Sequence, residues 1–354
     1  MESKKIKLLI DLALENGGVL RHPTIAYHTR GTRNADGSNV VWVCHALTAN
    51  SDFEEWWSGL FTNGGYFDDP NLFIIAANAL GSCYGSTGPL STDPVSGTPY
   101  YYTFPKLTIN DLVAAHQALA AELGIDKIAC LIGGSLGGQQ ALQWAVNEPA
   151  RFEYLVAIAT NAVHSPWGIA FNESQRMAVE LDPTWGDLSP KAGEDGMKVA
   201  RSLALLSYRN YGTYARTQTR NANEPLWKWK AGSYQIYQGE KLAKRFRAQS
   251  YVALSHAMDS HDLGRSHPSG EAKQALAIIQ AKTLIISLED DLLFPAEEQL
   301  FLAKHIANAE QKLVNSIYGH DGFLIETDAL SHLLESFIQI KSSFKKSLKS
   351  TLIS

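Results

Sequence analysis

Leu131-Ile132-Gly133-Gly134-Ser135-Leu136-Gly137-Gly138-Gln139-Gln140-Ala141-Leu142 is the stretch on which the fold of this chain turns. Just upstream, Lys127-Ile128-Ala129-Cys130-Leu131-Ile132 has the length and composition of a buried strand, and just downstream Ala141, Leu142, Trp144 and Ala145 recur at helical spacing. Between them stands Gly-x-Ser-x-Gly (Gly133, Ser135, Gly137), the pattern of a nucleophile elbow. A serine on so sharp a strand-to-helix turn takes a strained backbone conformation, and a side chain two residues to either side would collide with it. The turn lifts the hydroxyl clear of the sheet. The helix that follows aims its first N–H groups and positive dipole end at the place where an oxyanion would form. A phosphate loop would need a Lys-Ser/Thr pair, and a dinucleotide site a different glycine spacing; the stretch has neither.

Working outward, Val40–Cys44, Leu72–Asn78, Tyr154–Thr160 and Thr283–Leu288 are almost wholly apolar runs, as expected of parallel strands covered on both faces. Thr108-Ile109-Asn110-Asp111 opens a helix that runs to Leu123. Near the start, Leu8–Leu14 and Thr24–His28 read as a pair of strands joined across Gly17-Gly18. The alternation predicts an α/β fold with a mostly parallel, doubly wound sheet. It stops between Val163 and Pro268, where helices, loops, aromatic residues and basic residues replace strand-like runs. The expected organisation is a core domain of residues 1–162 and 269–354 with an inserted helical lid of residues 163–268. A last amphipathic helix is expected from His332 to Leu348, ending in lysines as the helix dipole favours.

With 354 residues, 45% hydrophobic and 19% charged, the composition is that of a globular protein, and a net charge of −5 argues against a nucleic-acid partner. The basic start, Met1-Glu2-Ser3-Lys4-Lys5-Ile6-Lys7, is followed by no apolar segment long enough for a secretory signal, and no window approaches a membrane span. Cys44, Cys83 and Cys130 form neither a disulfide framework nor a paired metal-ligand spacing. A cytoplasmic protein without a metal is the expectation.

Ser135, Asp291 and His320 follow one another in the chain order Ser, Asp, His, and the latter two each stand just beyond an expected core strand. That is the α/β-hydrolase order. A serine hydroxyl is a poor nucleophile until an imidazole takes its proton, and the imidazole needs a carboxylate to fix its tautomer and stabilise its charged form.

Several longer stretches carry a more specific resemblance. They include Cys44-His45-Ala46-Leu47-Thr48, Asn78 to Pro89, Gly133 to Gly138, Ala170-Phe171-Asn172-Glu173, Tyr237-Gln238-Gly239-Glu240-Lys241, Asp291 to Pro295 and Tyr318-Gly319-His320-Asp321. From about residue 8 to residue 340 the chain resembles the homoserine O-acetyltransferase family of α/β-hydrolase-fold acyltransferases. The resemblance implies acetyl transfer from acetyl-CoA to the hydroxyl of L-homoserine, in methionine biosynthesis, with no cofactor beyond that co-substrate. It also implies a homodimer joined through lid helices. By the same resemblance Ser135 is the nucleophile, His320 the general base and acid, and Asp291 its partner. The backbone N–H groups of Leu47 and Leu136 form the oxyanion hole, Asp321 holds the substrate amine and Arg209 its carboxylate. Leu136 and Gly322 stand where Met and Ala are usual, and Ala49-Asn50-Ser51-Asp52-Phe53 departs from the family pattern beside the oxyanion hole. Succinyl-CoA as donor, serine as acceptor, and an esterase with the same triad remain open alternatives.

Overall fold

Val40–Cys44 and Ile128–Gly134 lie side by side in the middle of a sheet because every one of their side chains is buried, which requires cover on both faces. In the computed structural model, which describes residues 1–220 and 225–340, the strands are β1 (Lys4–Lys7), β2 (Leu12–Ala13), β3 (Val19–Leu20), β4 (Thr24–Arg30), β5 (Val40–Cys44), β6 (Phe73–Ala77), β7 (Ile128–Gly134), β8 (Phe152–Ile158), β9 (Lys282–Leu288) and β10 (Ala309–Val314). Eight of them form one sheet in the order β1-β4-β6-β5-β7-β8-β9-β10, and β2 pairs with β3 apart from it. The β4 strand runs antiparallel to both β1 and β6, whereas β6 to β10 are all parallel. Side chains alternate between two cores as the pleat demands. Trp42 and Leu131 join Trp144 on one face, while Val41, Val43 and Ile132 join Trp57, Phe61 and Phe67 on the other.

The helix expected after Thr108 spans Ile109–Glu122 and starts with a capping box, the Thr108 hydroxyl and the Asp111 carboxylate each accepting from the other's backbone N–H. The N-terminal expectation needs correction. Leu8–Leu14 is not one strand: Leu8, Leu12 and Leu14 are buried while Leu9 and Ile10 are 81% and 55% exposed, a pattern that fits no single strand period. The last helix also differs. It covers Thr327–Phe337 and stops where Ile338 turns extended, its carbonyl accepting from the Tyr66 hydroxyl at 2.9 Å. Residues 341–348 of the expected helix lie outside the described residues.

Between β8 and β9 the chain leaves the sheet for the helices Pro166–Glu180, Glu194–Tyr208, Tyr211–Thr217, Lys230–Ala243 and Ala248–Asp259. The first and last of these are joined by a buried ion pair, Arg176 Nη2 to Asp259 Oδ2 at 2.6 Å, with Asn172 Nδ2 donating to Asp259 Oδ1 at 2.7 Å. A buried guanidinium left without such partners would cost several kcal/mol. These helices close over the carboxyl ends of the strands, where open α/β sheets keep their crevices. No helix among the described residues is long and apolar enough to cross a membrane.

Candidate active site

The β7 strand delivers Ser135 into a turn with φ 58° and ψ −127°, a conformation that costs a non-glycine residue conformational energy. Hydrogen bonds hold it there. The Ser135 N–H donates to Ile158 O at 2.9 Å, and the Thr160 hydroxyl donates to Ser135 O at 3.0 Å, so the turn is tied to β8 on both sides. The flanking glycines are required by close approach. A Cβ on Gly133 would lie 2.2 Å from Gly137 O, and one on Gly137 would lie 2.1 Å from Cys44 O. The elbow helix, Leu136–Asn147, therefore presses its first turn against the end of β5, and the Ser135 side chain makes no capping bond to it.

Asp291 follows β9, and His320 sits in a 3-10 turn after β10. The imidazole Nδ1 donates to Asp291 Oδ2 at 2.7 Å, and Asp291 Oδ1 accepts from the backbone N–H groups of Leu293 at 2.8 Å and Phe294 at 2.9 Å. Both carboxylate oxygens are thus committed, and Nε2 is left as the basic nitrogen. Burial pushes the His320 pKa down, but the Asp291 carboxylate, helped by Asp321, outweighs it and leaves the group above its ordinary value. Phe294 stacks on the imidazole at 5.2 Å between centroids, with Phe323 at 5.4 Å and Tyr208 at 5.6 Å. Ser135 and His320 line one cavity of about 280 Å³, with Leu47 on its wall. Leu136 opens the elbow helix, so its N–H has no intrahelical partner, and the Leu47 N–H has no hydrogen-bond partner among the described residues.

The cavity lining carries charge. Asp321 lines it, and its Oδ2 is 3.0 Å from Arg209 Nη2. Arg209, which the resemblance matches to the substrate carboxylate, is thereby engaged with the neighbouring carboxylate of the protein and does not line the cavity. Arg201, set 5.3 Å from the Tyr208 ring centroid, does line it. Sequence reading passed over Arg201, although a signal was there: positions 201 and 208 are seven apart on one helix and share a face. Lys241 and Arg245 also line the cavity, as does Glu55, and Arg245 donates to Tyr84 Oη at 2.8 Å and to Thr48 O. Among the described residues no group of three or more His, Cys, Asp or Glu is placed to hold a metal ion.

A family profile described as alpha/beta hydrolase fold matches residues 39–327. The homoserine O-acetyltransferase of Cyclobacterium marinum is 47% identical over 326 residues, 92% of this chain and 92% of that relative. That of Chlorobaculum tepidum is 42% identical over 329 residues, again 92% of each chain. Among solved structures, homoserine O-acetyltransferase from Bacillus anthracis superimposes with a TM-score of 0.87 at 24% identity, over 96% of this chain and 99% of that one. This last likeness bears on the fold alone.

Proposed function

We propose, for a chain that belongs to the homoserine O-acetyltransferase family of α/β-hydrolase-fold proteins, that it moves an acetyl group from acetyl-CoA to the hydroxyl of L-homoserine by way of Ser135. In the first half-reaction His320 Nε2 takes the Ser135 proton as Oγ attacks the thioester carbonyl. The oxyanion rests on the Leu47 and Leu136 N–H groups, and the CoA thiolate leaves with the proton returned by His320. In the second, His320 takes the homoserine hydroxyl proton, the alkoxide attacks the acetyl-serine, and the proton goes back to Ser135. Asp291 fixes the Nδ1–H tautomer throughout and stabilises the transient imidazolium.

The observation that carries this reading is the pair of opposite charges beside the triad. Asp321 and Arg201 both line the cavity that holds Ser135 and His320. A zwitterionic amino acid needs one anion and one cation in a water-poor site, with a guanidinium suited to its carboxylate. A hydrolase of simple acetyl esters needs neither. In this assignment Asp321 takes the ammonium, Arg201 the carboxylate, and Arg209 holds Asp321. The aromatic enclosure of His320 and the helices of residues 163–268 keep solvent from the acyl-serine. Lys241 and Arg245 suit the phosphates of CoA. Exposed apolar side chains on the lid helices, among them Leu181, Val199, Leu206, Ile236 and Tyr237, support a homodimer joined there. A cytoplasmic location agrees with this substrate pair.

The test is free-thiol release from acetyl-CoA with and without homoserine. The transferase reading predicts a single burst without acceptor and sustained turnover with it, and serine or succinyl-CoA in place of the natural partners giving slower turnover. Sustained thiol release without acceptor would make the protein an esterase.

A further inference from the structure

The imidazole of His45 lies in the Cys44-His45-Ala46-Leu47-Thr48 stretch, one turn of chain from the Leu47 N–H, and is fully buried. Its two nitrogens have partners of opposite kind. Nδ1 is 2.8 Å from Ala46 O, an atom that only accepts, so Nδ1 carries the proton. Nε2 accepts from the Ala79 N–H at 2.9 Å, so it carries none. Ala46 O and the Leu47 N–H are the two ends of one peptide group, which is planar and rigid. A chain of donors therefore runs from Ala79 N–H through the ring to Ala46 O, and emerges on the other side as the Leu47 N–H.

We infer that His45 is a positioning residue that aims and polarises the Leu47 N–H as an oxyanion donor. Each step follows from bond geometry. Fixing the carbonyl end of a planar peptide fixes the direction of its N–H, and a hydrogen bond to the carbonyl strengthens the N–H as a donor in turn. An oxyanion hole works only while its donors point at the developing charge without reorganising. The ring must stay neutral for this, because a protonated Nε2 would meet the Ala79 N–H as donor against donor. Burial lowers the His45 pKa to about 4, which keeps it neutral at physiological pH. The same loop is tied to the second donor. Gln140 Nε2 donates to His45 O at 3.3 Å and to Leu136 O at 3.2 Å, and Gln140 Oε1 is 2.9 Å from His116 Nε2. The segments that supply the two N–H groups are thus joined by one side chain.

The inference rests on Leu47 serving as an oxyanion donor in the reading above, and its test separates the two. Asparagine places an amide N–H near the position of Nδ1, whereas glutamine reaches the position of Nε2 and leaves Ala46 O without a donor. The readout is the pre-steady-state rate of Ser135 acetylation by p-nitrophenyl acetate, which needs neither CoA nor homoserine. Losing an oxyanion donor costs about a hundred- to a thousandfold in rate, and a misaimed donor costs less, so His45→Gln is expected to slow acetylation about ten- to hundredfold. His45→Asn is expected to stay within about threefold of the unsubstituted protein, with the KM for homoserine unchanged in both. Equal rates for the two variants, or a slower Asn variant, would overturn the inference while leaving the functional reading intact. Failure of the unsubstituted protein to acetylate Ser135 would refute both. Nitrogen NMR of isotope-labelled histidine gives a check that needs no variant: the Nδ1–H tautomer of His45 is expected, and the Nε2–H tautomer would overturn the inference.

Discussion

Asp321→Asn separates the two half-reactions. Asp321 Oδ2 is 3.0 Å from Arg209 Nη2, and Oδ1 has no hydrogen-bond or ion-pair partner among the described residues. Asp321 lines the cavity, and that free oxygen is the one assigned to the substrate ammonium. A hydrogen bond to a charged group contributes about 1.5–3 kcal/mol. At 1.4 kcal/mol per tenfold, its loss raises the KM for homoserine about 10- to 150-fold. Acetyl-CoA brings no ammonium to this place, so the burst of thiol release should keep its amplitude and change rate little. The structural cost is small: both side chains retain some solvent, at 16% and 12% exposure, and asparagine still offers Arg209 a carbonyl. About 1 kcal/mol of stability is expected to go, a few degrees in Tm. Stopped-flow thiol detection, followed by steady-state turnover against homoserine concentration, reads both quantities. A burst that disappears while the homoserine KM stays put would refute the assignment of Asp321 to the acceptor half.

Three further outcomes are expected. Arg201→Gln raises the homoserine KM about tenfold or more without slowing acetylation, while Arg209→Gln acts more weakly, through Asp321; steady-state kinetics on both ranks them. Gly137→Ala forces a Cβ to within 2.1 Å of Cys44 O, and overpacking of this kind costs about 1–3 kcal/mol, read as a fall in Tm together with loss of Ser135 acetylation. The acid limb of the acetylation rate lies above pH 6.5, the ordinary imidazole value, because His320 must be neutral to accept the serine proton and its pKa is raised. The rate is therefore complete above that raised value and lost as pH falls through it. Its stability contribution has the opposite sense, present below the unfolded-state pKa and lost as pH rises through the folded one.

Much of this was legible in the sequence, for identifiable reasons. The elbow could be read because steric exclusion leaves glycine alone at positions 133 and 137, and the structure places a carbonyl where each Cβ would be. Asp291 and His320 could be singled out because apolar runs mark where strands end, and chain order then brings loop residues together. The choice between Arg201 and Arg209 could not be made by motif spacing. Arg201 belongs to the helix Glu194–Tyr208 and lines the cavity together with Tyr208, whereas Arg209 is the C-cap, with φ −117° and ψ 172°, pairs with Asp321 and does not line it. Helix phase sets which of the two lines the cavity, and a helix end is not readable from sequence to one residue. The N-terminal leucines misled for a related reason. Leu8 and Leu14 find the core from irregular chain on either side of the two-residue strand that holds Leu12, and burial without a sustained period resembles one long strand only in composition. The His45 relay was invisible because it depends on which nitrogen meets which backbone atom.

The central claim is that Ser135 carries the acyl group from donor to acceptor. Intact-mass spectrometry with peptide mapping, after brief exposure to acetyl-CoA, tests it most directly. One acetyl group on Ser135 is expected, discharged by homoserine with formation of O-acetylhomoserine and absent from Ser135→Ala. An unmodified Ser135 in a protein that turns over, or an acetyl-serine that homoserine removes no faster than water does, would contradict it.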